Sequence, residues 1–186
     1  MAQTLAIYLL ITRELAEEAK MPTNFRYWNG TEQVSDAALL AEFMLWLAVR
    51  GDCANEAFNF ANGDHFTWRF MWPRLAETFR AYSTPDQIFS KAEPAMGELR
   101  QEFSLARWAA DKKPLWCEMC DATGTPEAKD AFDCAAWQSL DESFQRSWTC
   151  NVSMSKAREY GWSGFKDSFD SFSSAFADLK TQRKIF

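Results

Sequence analysis

Few residues of this sequence could carry out acid–base, nucleophilic or metal chemistry. The one histidine, His65, follows the turn residues Asn62-Gly63-Asp64. A lone imidazole excludes sites built on two or three His ligands but leaves general-base work open. Cys117 and Cys120 form a C-x-x-C pair. A redox pair of that spacing belongs at a helix start after a strand. Here Lys113-Pro114-Leu115-Trp116 precedes it and reads as helix. Cys134 and Cys150 lack the spacing of a second zinc pair. Glu14, Glu17 and Glu18 read as a solvated helix face, Asp64 as a turn residue or cap, and Glu56 has no partner at a recognisable spacing. No glycine-rich dinucleotide loop, phosphate loop or G-x-S-x-G elbow occurs. The residues by themselves assign no catalytic, cofactor-binding or metal role.

Composition narrows the class. At 186 residues the chain is long enough for a single domain, 1–186, with a substantial core. A net charge of −6 argues against a nucleic-acid partner, which needs clustered Lys and Arg. Nine Trp and sixteen Phe fill an aromatic core or wall a pocket for a flat, hydrophobic small molecule. Five cysteines without a signal-like start imply reduced thiols and a cytoplasmic setting. The apolar run from Leu5 to Ile11 is too short to span a membrane.

The elements that must position any site follow from periodicity. Ala2 to Lys20 reads as a helix with Leu5, Tyr8, Leu9 and Leu15 on one face, stopped by Pro22. Phe25–Trp28 and Ala57–Phe60 read as short strands. Ser35 is a fitting N-cap for a helix to about Val49. Trp68, Met71, Trp72, Leu75 and Phe79 share a helix face interrupted by Pro73, so the helix bends there or begins at Trp72. Further helical pieces are expected from about Met96 or Ser104 to Ala110, over Leu115–Asp121, and from Pro126 with Phe132, Ala136, Trp137 and Leu140 on one face. Ser153 to Tyr160 is another, and Asp167 or Ser168 caps a last helix bearing Phe169, Phe172, Phe176 and Leu179. The fold class is mainly α with few short strands, an α/β remnant.

The run from Asn55 to Phe79 carries more than periodicity. Asn55, Glu56, Ala57, Phe58, Asn59, Asn62, Gly63, Asp64, Phe66, Trp68, Arg69, Trp72, Leu75, Ala76 and Phe79 stand in one register. That pattern resembles the progesterone 5β-reductase/iridoid synthase-like group of the extended short-chain dehydrogenase/reductase (NAD-dependent epimerase) superfamily, with its fungal branch nearest. Thr4–Tyr8, Ser35-Asp36-Ala37 with Leu39, Leu40 and Trp46, Ser104-Leu105 with Lys113–Trp116, and Met154–Arg158 with Gly161-Trp162 resemble further family segments, in order along the chain.

The resemblance implies the C-terminal half of a Rossmann-type enzyme, without the dinucleotide-binding half. The family's glycine-rich loop and catalytic Tyr and Lys are expected upstream of the segment matching Met1. The family's cofactor is NADPH; for this chain alone none is expected. The loop between Asn29 and Ser35 is shorter than in the family. The resemblance further implies a substrate pocket with an aromatic wall, placing Trp137 and Tyr8 there. On this footing the chain is the substrate-binding half of an NAD(P)H-dependent enone or carbonyl reductase of secondary (terpenoid or polyketide) metabolism, not competent alone. A cofactor-free binding protein or isomerase/cyclase for a hydrophobic metabolite, and an inactive truncated product, are the alternatives. The strand Ala57–Phe60 would lack its sheet neighbours, so a homo-oligomer or pairing with a second chain is expected.

Overall fold

A computed structural model describes residues 1–186. Helix α1, Ala2–Glu14, is the centre of the packing: Thr4 through Thr12 are buried without a break. A helix apolar on all sides must be enclosed on all sides. Helix α4, Trp68–Thr78, and helix α9, Ser168–Thr181, contribute to that enclosure. Phe176 meets Phe79 edge-on at 4.8 Å, and Phe172 meets Trp68 at 6.2 Å. Trp28, Trp68, Trp72 and Trp116 are fully buried, so core filling takes up four of the nine tryptophans. Their indoles still need partners: Trp72 donates to the Ala19 carbonyl at 2.7 Å and Trp116 to the Ala128 carbonyl at 2.9 Å.

Several elements depart from the periodicity reading. The first helix ends at Glu14, not Lys20; Ala16 takes positive φ and turns the chain away. The expected strand Phe25–Trp28 is helix α2, Phe25–Asn29. Asn24 decides this, because its Oδ1 caps the helix by accepting from the Tyr27 N–H at 3.0 Å. Its amide nitrogen meanwhile donates to the carbonyls of Arg100 and Arg146. Strand β1, Thr31–Glu32, pairs antiparallel with β2, Phe66–Thr67, in the register Thr31 to Thr67 and Glu32 to Phe66. These four residues make the two-stranded sheet. Buried Glu32 anchors it, accepting from the Tyr27 hydroxyl and from Arg146 at 2.7 Å.

Helix α3, Ala37–Ala48, is capped by Asp36 rather than Ser35. The expected strand Ala57–Phe60 does not form. The segment is extended and pairs with no other strand, while Phe58 and Phe60 turn in against Phe43 of α3. Pro73 sits inside α4, which starts at Trp68 and accommodates it. Helix α5, Leu105–Ala109, is capped by Ser104, and helix α6 covers Lys113–Ala122. The single piece expected from Pro126 is split into a 3₁₀ turn, Pro126–Ala131, and helix α7, Trp137–Phe144. Helix α8 is Ser155–Glu159, and Asp167 caps α9. The chain is mostly helical. No helix is long and apolar enough to cross a membrane.

Candidate functional site

The two residues that resemblance places in a substrate wall come from opposite ends of the chain, and Trp108 joins them. Tyr8 on α1 meets Trp108 on α5 edge-on, with centroids 4.6 Å apart. Trp108 lies 6.5 Å from Trp137 at the start of α7, and Trp137 lies 5.1 Å from Phe132. The row is graded in exposure: Tyr8 is 2 % exposed, while Trp108 and Trp137 each keep part of the indole at the surface. Lys112 holds its ammonium 5.6 Å above the Trp108 ring. Such a row offers flat apolar faces with one cation at the rim.

Backbone-directed polar contacts hold the row in place. Gln3 donates to the Ala131 carbonyl at 2.7 Å, and Thr4 Oγ1 accepts from the Ala136 N–H at 2.9 Å, tying the approach to α7 onto α1. Trp137 Nε1 donates to the Phe132 carbonyl at 3.1 Å, which fixes the ring's tilt. Asp141 of α7 does the most. Its buried carboxylate accepts from Ser104 Oγ at 2.7 Å and from the N–H groups of Leu105 at 2.6 Å and Ala106 at 3.0 Å. An acid from one helix thus caps the N-terminus of another, satisfying donors that have no partner within their own helix. Sequence reading missed Asp141 because its partners lie about 35 residues away; the only local signal was Ser104 as a cap. Beside this junction lies an open, largely polar cleft of about 780 Å³, bordered by Phe103, Arg107, Gln138 and Asp141. Neither Tyr8 nor Trp137 borders it.

The arrangement cannot perform acid catalysis through Tyr8. Its hydroxyl donates to the Lys20 carbonyl at 2.6 Å, and burial pushes the phenol above its ordinary pKa. His65 is exposed, with Nε2 3.0 Å from the Gln33 amide nitrogen, and stands apart from the aromatic row. Cys120 is buried, and burial, followed by neighbouring Cys117, pushes its thiol up to about 11, which keeps it protonated and inert. No three His, Cys, Asp or Glu side chains gather as metal ligands. A nicotinamide dinucleotide does not fit the residues present. Gly63, which comes before α4, has positive φ, but a Cβ there would meet Phe165 at 2.9 Å and Arg158 at 3.1 Å, leaving no open cradle for a phosphate.

No family model matches the chain. Among curated proteins it is 49 % identical over 175 residues to a short-chain dehydrogenase of Penicillium aethiopicum, covering 94 % of this chain and 46 % of that one. Its homologues are a short-chain dehydrogenase and iridoid-synthase-type enzymes. An (S)-8-oxocitronellyl enol synthase of Camptotheca acuminata is 32 % identical over 183 residues, covering 98 % of this chain and 44 % of that protein. An uncharacterized protein of Schizosaccharomyces pombe is 31 % identical over 209 residues, covering 99 % and 51 %. The chain therefore spans about half the length of the curated relatives it matches. The similarity supports a reductase family of the short-chain dehydrogenase type.

Proposed function

We propose that this chain is the substrate-shaping half of an NAD(P)H-dependent enone or carbonyl reductase-like protein, acting on a hydrophobic metabolite and without reductase activity of its own. The observation that carries the reading is the row Tyr8–Trp108–Trp137–Phe132. It is an apolar wall in a chain 49 % identical to a short-chain dehydrogenase over 94 % of its length. The chain's own part in such chemistry is positional. Flat rings orient a planar conjugated substrate and exclude water from one of its faces. Proton transfer and cofactor binding fall to residues outside this chain, since Tyr8 is occupied and Gly63 is covered. A C-terminal half lacking the dinucleotide-binding half accords with coverage of 46 % of the Penicillium protein.

The test is a pair of titrations on the purified chain. NADPH is expected to leave the thermal midpoint unchanged. A cyclic enone is expected to quench tryptophan fluorescence, with Trp108→Ala weakening binding about tenfold, as loss of one stacked aromatic does. Stoichiometric NADPH binding, or enone binding indifferent to Trp108, overturns the reading. A second reading, a cofactor-free binding protein or isomerase, draws on the self-contained core of 31 buried residues. Conversion of an enone without added nicotinamide would favour it.

A further inference from the structure

Helix α3 is apolar on every side. In Ala37-Ala38-Leu39-Leu40-Ala41-Glu42-Phe43-Met44-Leu45-Trp46-Leu47-Ala48 the one charge is Glu42. Leu39 and Phe43 are buried, with Phe43 packed on Phe60 and Trp162. On the other side Leu45 is 69 % exposed and Val49, just past the helix, 83 %. A one-sided surface helix carries polar residues outward, and a helix that is hydrophobic all round is one covered on both sides. This chain covers one side.

The segment after α3 repeats the pattern. Residues 57–60 are extended, with Phe58 and Phe60 inward and Ala57 and Asn59 outward. The N–H groups of all four donate to nothing in this chain. The carbonyls of Ala57 and Phe60 are held by Lys156 and Ser35 side chains. An all-apolar helix followed at once by a short apolar extended run is the second half of a strand–helix–strand unit. Such units exist where a parallel sheet receives both pieces. Backbone donors in an extended run are a template for such pairing.

We infer that the outer face of α3 and the open edge 57–60 form one docking surface. Its occupant is a sheet-bearing half homologous to the part of the Penicillium dehydrogenase that this chain does not match. The inference rests on the reading above and names the partner it requires. A second copy of α3 would bury Leu45 and Val49 equally well, but a helix supplies no strand edge for 57–60. The missing length fits the sheet-bearing half: the match covers 46 % of that protein, so a portion larger than this chain lies outside it. Met1 and Ala2 border Ala37 and Ala38 across a cleft of about 500 Å³, so a half joined ahead of them enters beside α3.

The experiment is a chimera in which this chain replaces the matched 175 residues of the Penicillium protein, compared with the chain alone. In the chimera the amides of residues 57–60 are expected to exchange with deuterium at least about 100-fold more slowly than in the isolated chain. Leu45→Glu is expected to lower the melting temperature of the chimera by about 4 °C or more and to leave the isolated chain nearly unmoved. Fast exchange at 57–60 in a folded chimera, or tolerance of Leu45→Glu there, overturns the assignment. So does a chimera that never folds, because a 49 % identical replacement should fit its own partner. Concentration-dependent dimers of the isolated chain abolished by Leu45→Glu would overturn it in favour of a second copy. Docking that survives while Trp108→Ala leaves enone binding untouched would sink the proposed function and not this surface.

Discussion

At the scale of single residues, buried carboxylates hold this chain together by capping the helices of other segments. Asp141 caps α5 from α7, and Asp64 accepts from the Ser168 N–H at 2.8 Å and the Ser168 hydroxyl at the start of α9. Replacing such a group leaves buried donors without an acceptor, and that desolvation cost exceeds the worth of an ordinary hydrogen bond. Asp141→Ala is therefore expected to destabilise the chain by about 2–3 kcal/mol. The check is the urea midpoint, with Asp141→Asn losing less because its carbonyl oxygen still accepts. Ser104 was legible as a cap from its place before Leu105. Asp141 was not, because nothing in the residues around it marks α5 as its partner.

Among the elements, the junction of α3 with α9 is electrostatic. Asp36 caps α3 through the Leu39 N–H at 3.0 Å, accepts from Ser171 Oγ of α9 at 2.7 Å and pairs with Lys166 at 2.9 Å. Burial alone would raise its pKa; the Leu39 and Ser171 hydrogen bonds and the Lys166 ammonium outweigh it and hold the carboxyl down to about 2. A depressed carboxylate stabilises the fold above its unfolded pKa of about 3.9, and that contribution is lost as pH falls toward the folded value. Stability is thus expected to drop between about pH 4 and pH 2, and the drop should be shallower in Asp36→Asn. Denaturant midpoints measured across that window decide it; parallel curves for the two proteins would remove Asp36 as the cause. The aromatic faces of α4 and α9 were readable from spacing alone. Phe25–Trp28 was misread as strand because aromatics suit both states, and the deciding contact is the Asn24 cap.

For the whole molecule, two cores of unequal size set how the fold opens. The larger cluster holds 31 buried residues around α1; the smaller holds Leu39, Phe43, Met154, Ala157 and Trp162. Local stability follows local burial, so amides of α3 and α8 are expected to exchange at least about tenfold faster than those of α1. Uniform protection across all three would show a single cooperative unit. The smaller core is also where the exposed face of α3 and the unpaired run 57–60 lie, so the part least buried is the part with the most surface to offer a partner.

The sequence by itself determined the family, through a long register of identities from Asn55 to Phe79, and the helical class, through the spacing of Trp68, Trp72, Phe172 and Phe176. Local periodicity suffices there because a helix face is written at intervals of three and four residues. Only the tertiary structure decided that Tyr8 and Trp137 meet through Trp108, that Asp141 caps α5, and that Ala57–Phe60 stays unpaired. Those outcomes depend on groups far apart in the chain, or on a partner strand the chain does not contain. A strand becomes part of a sheet only when another backbone takes up its N–H and C=O groups.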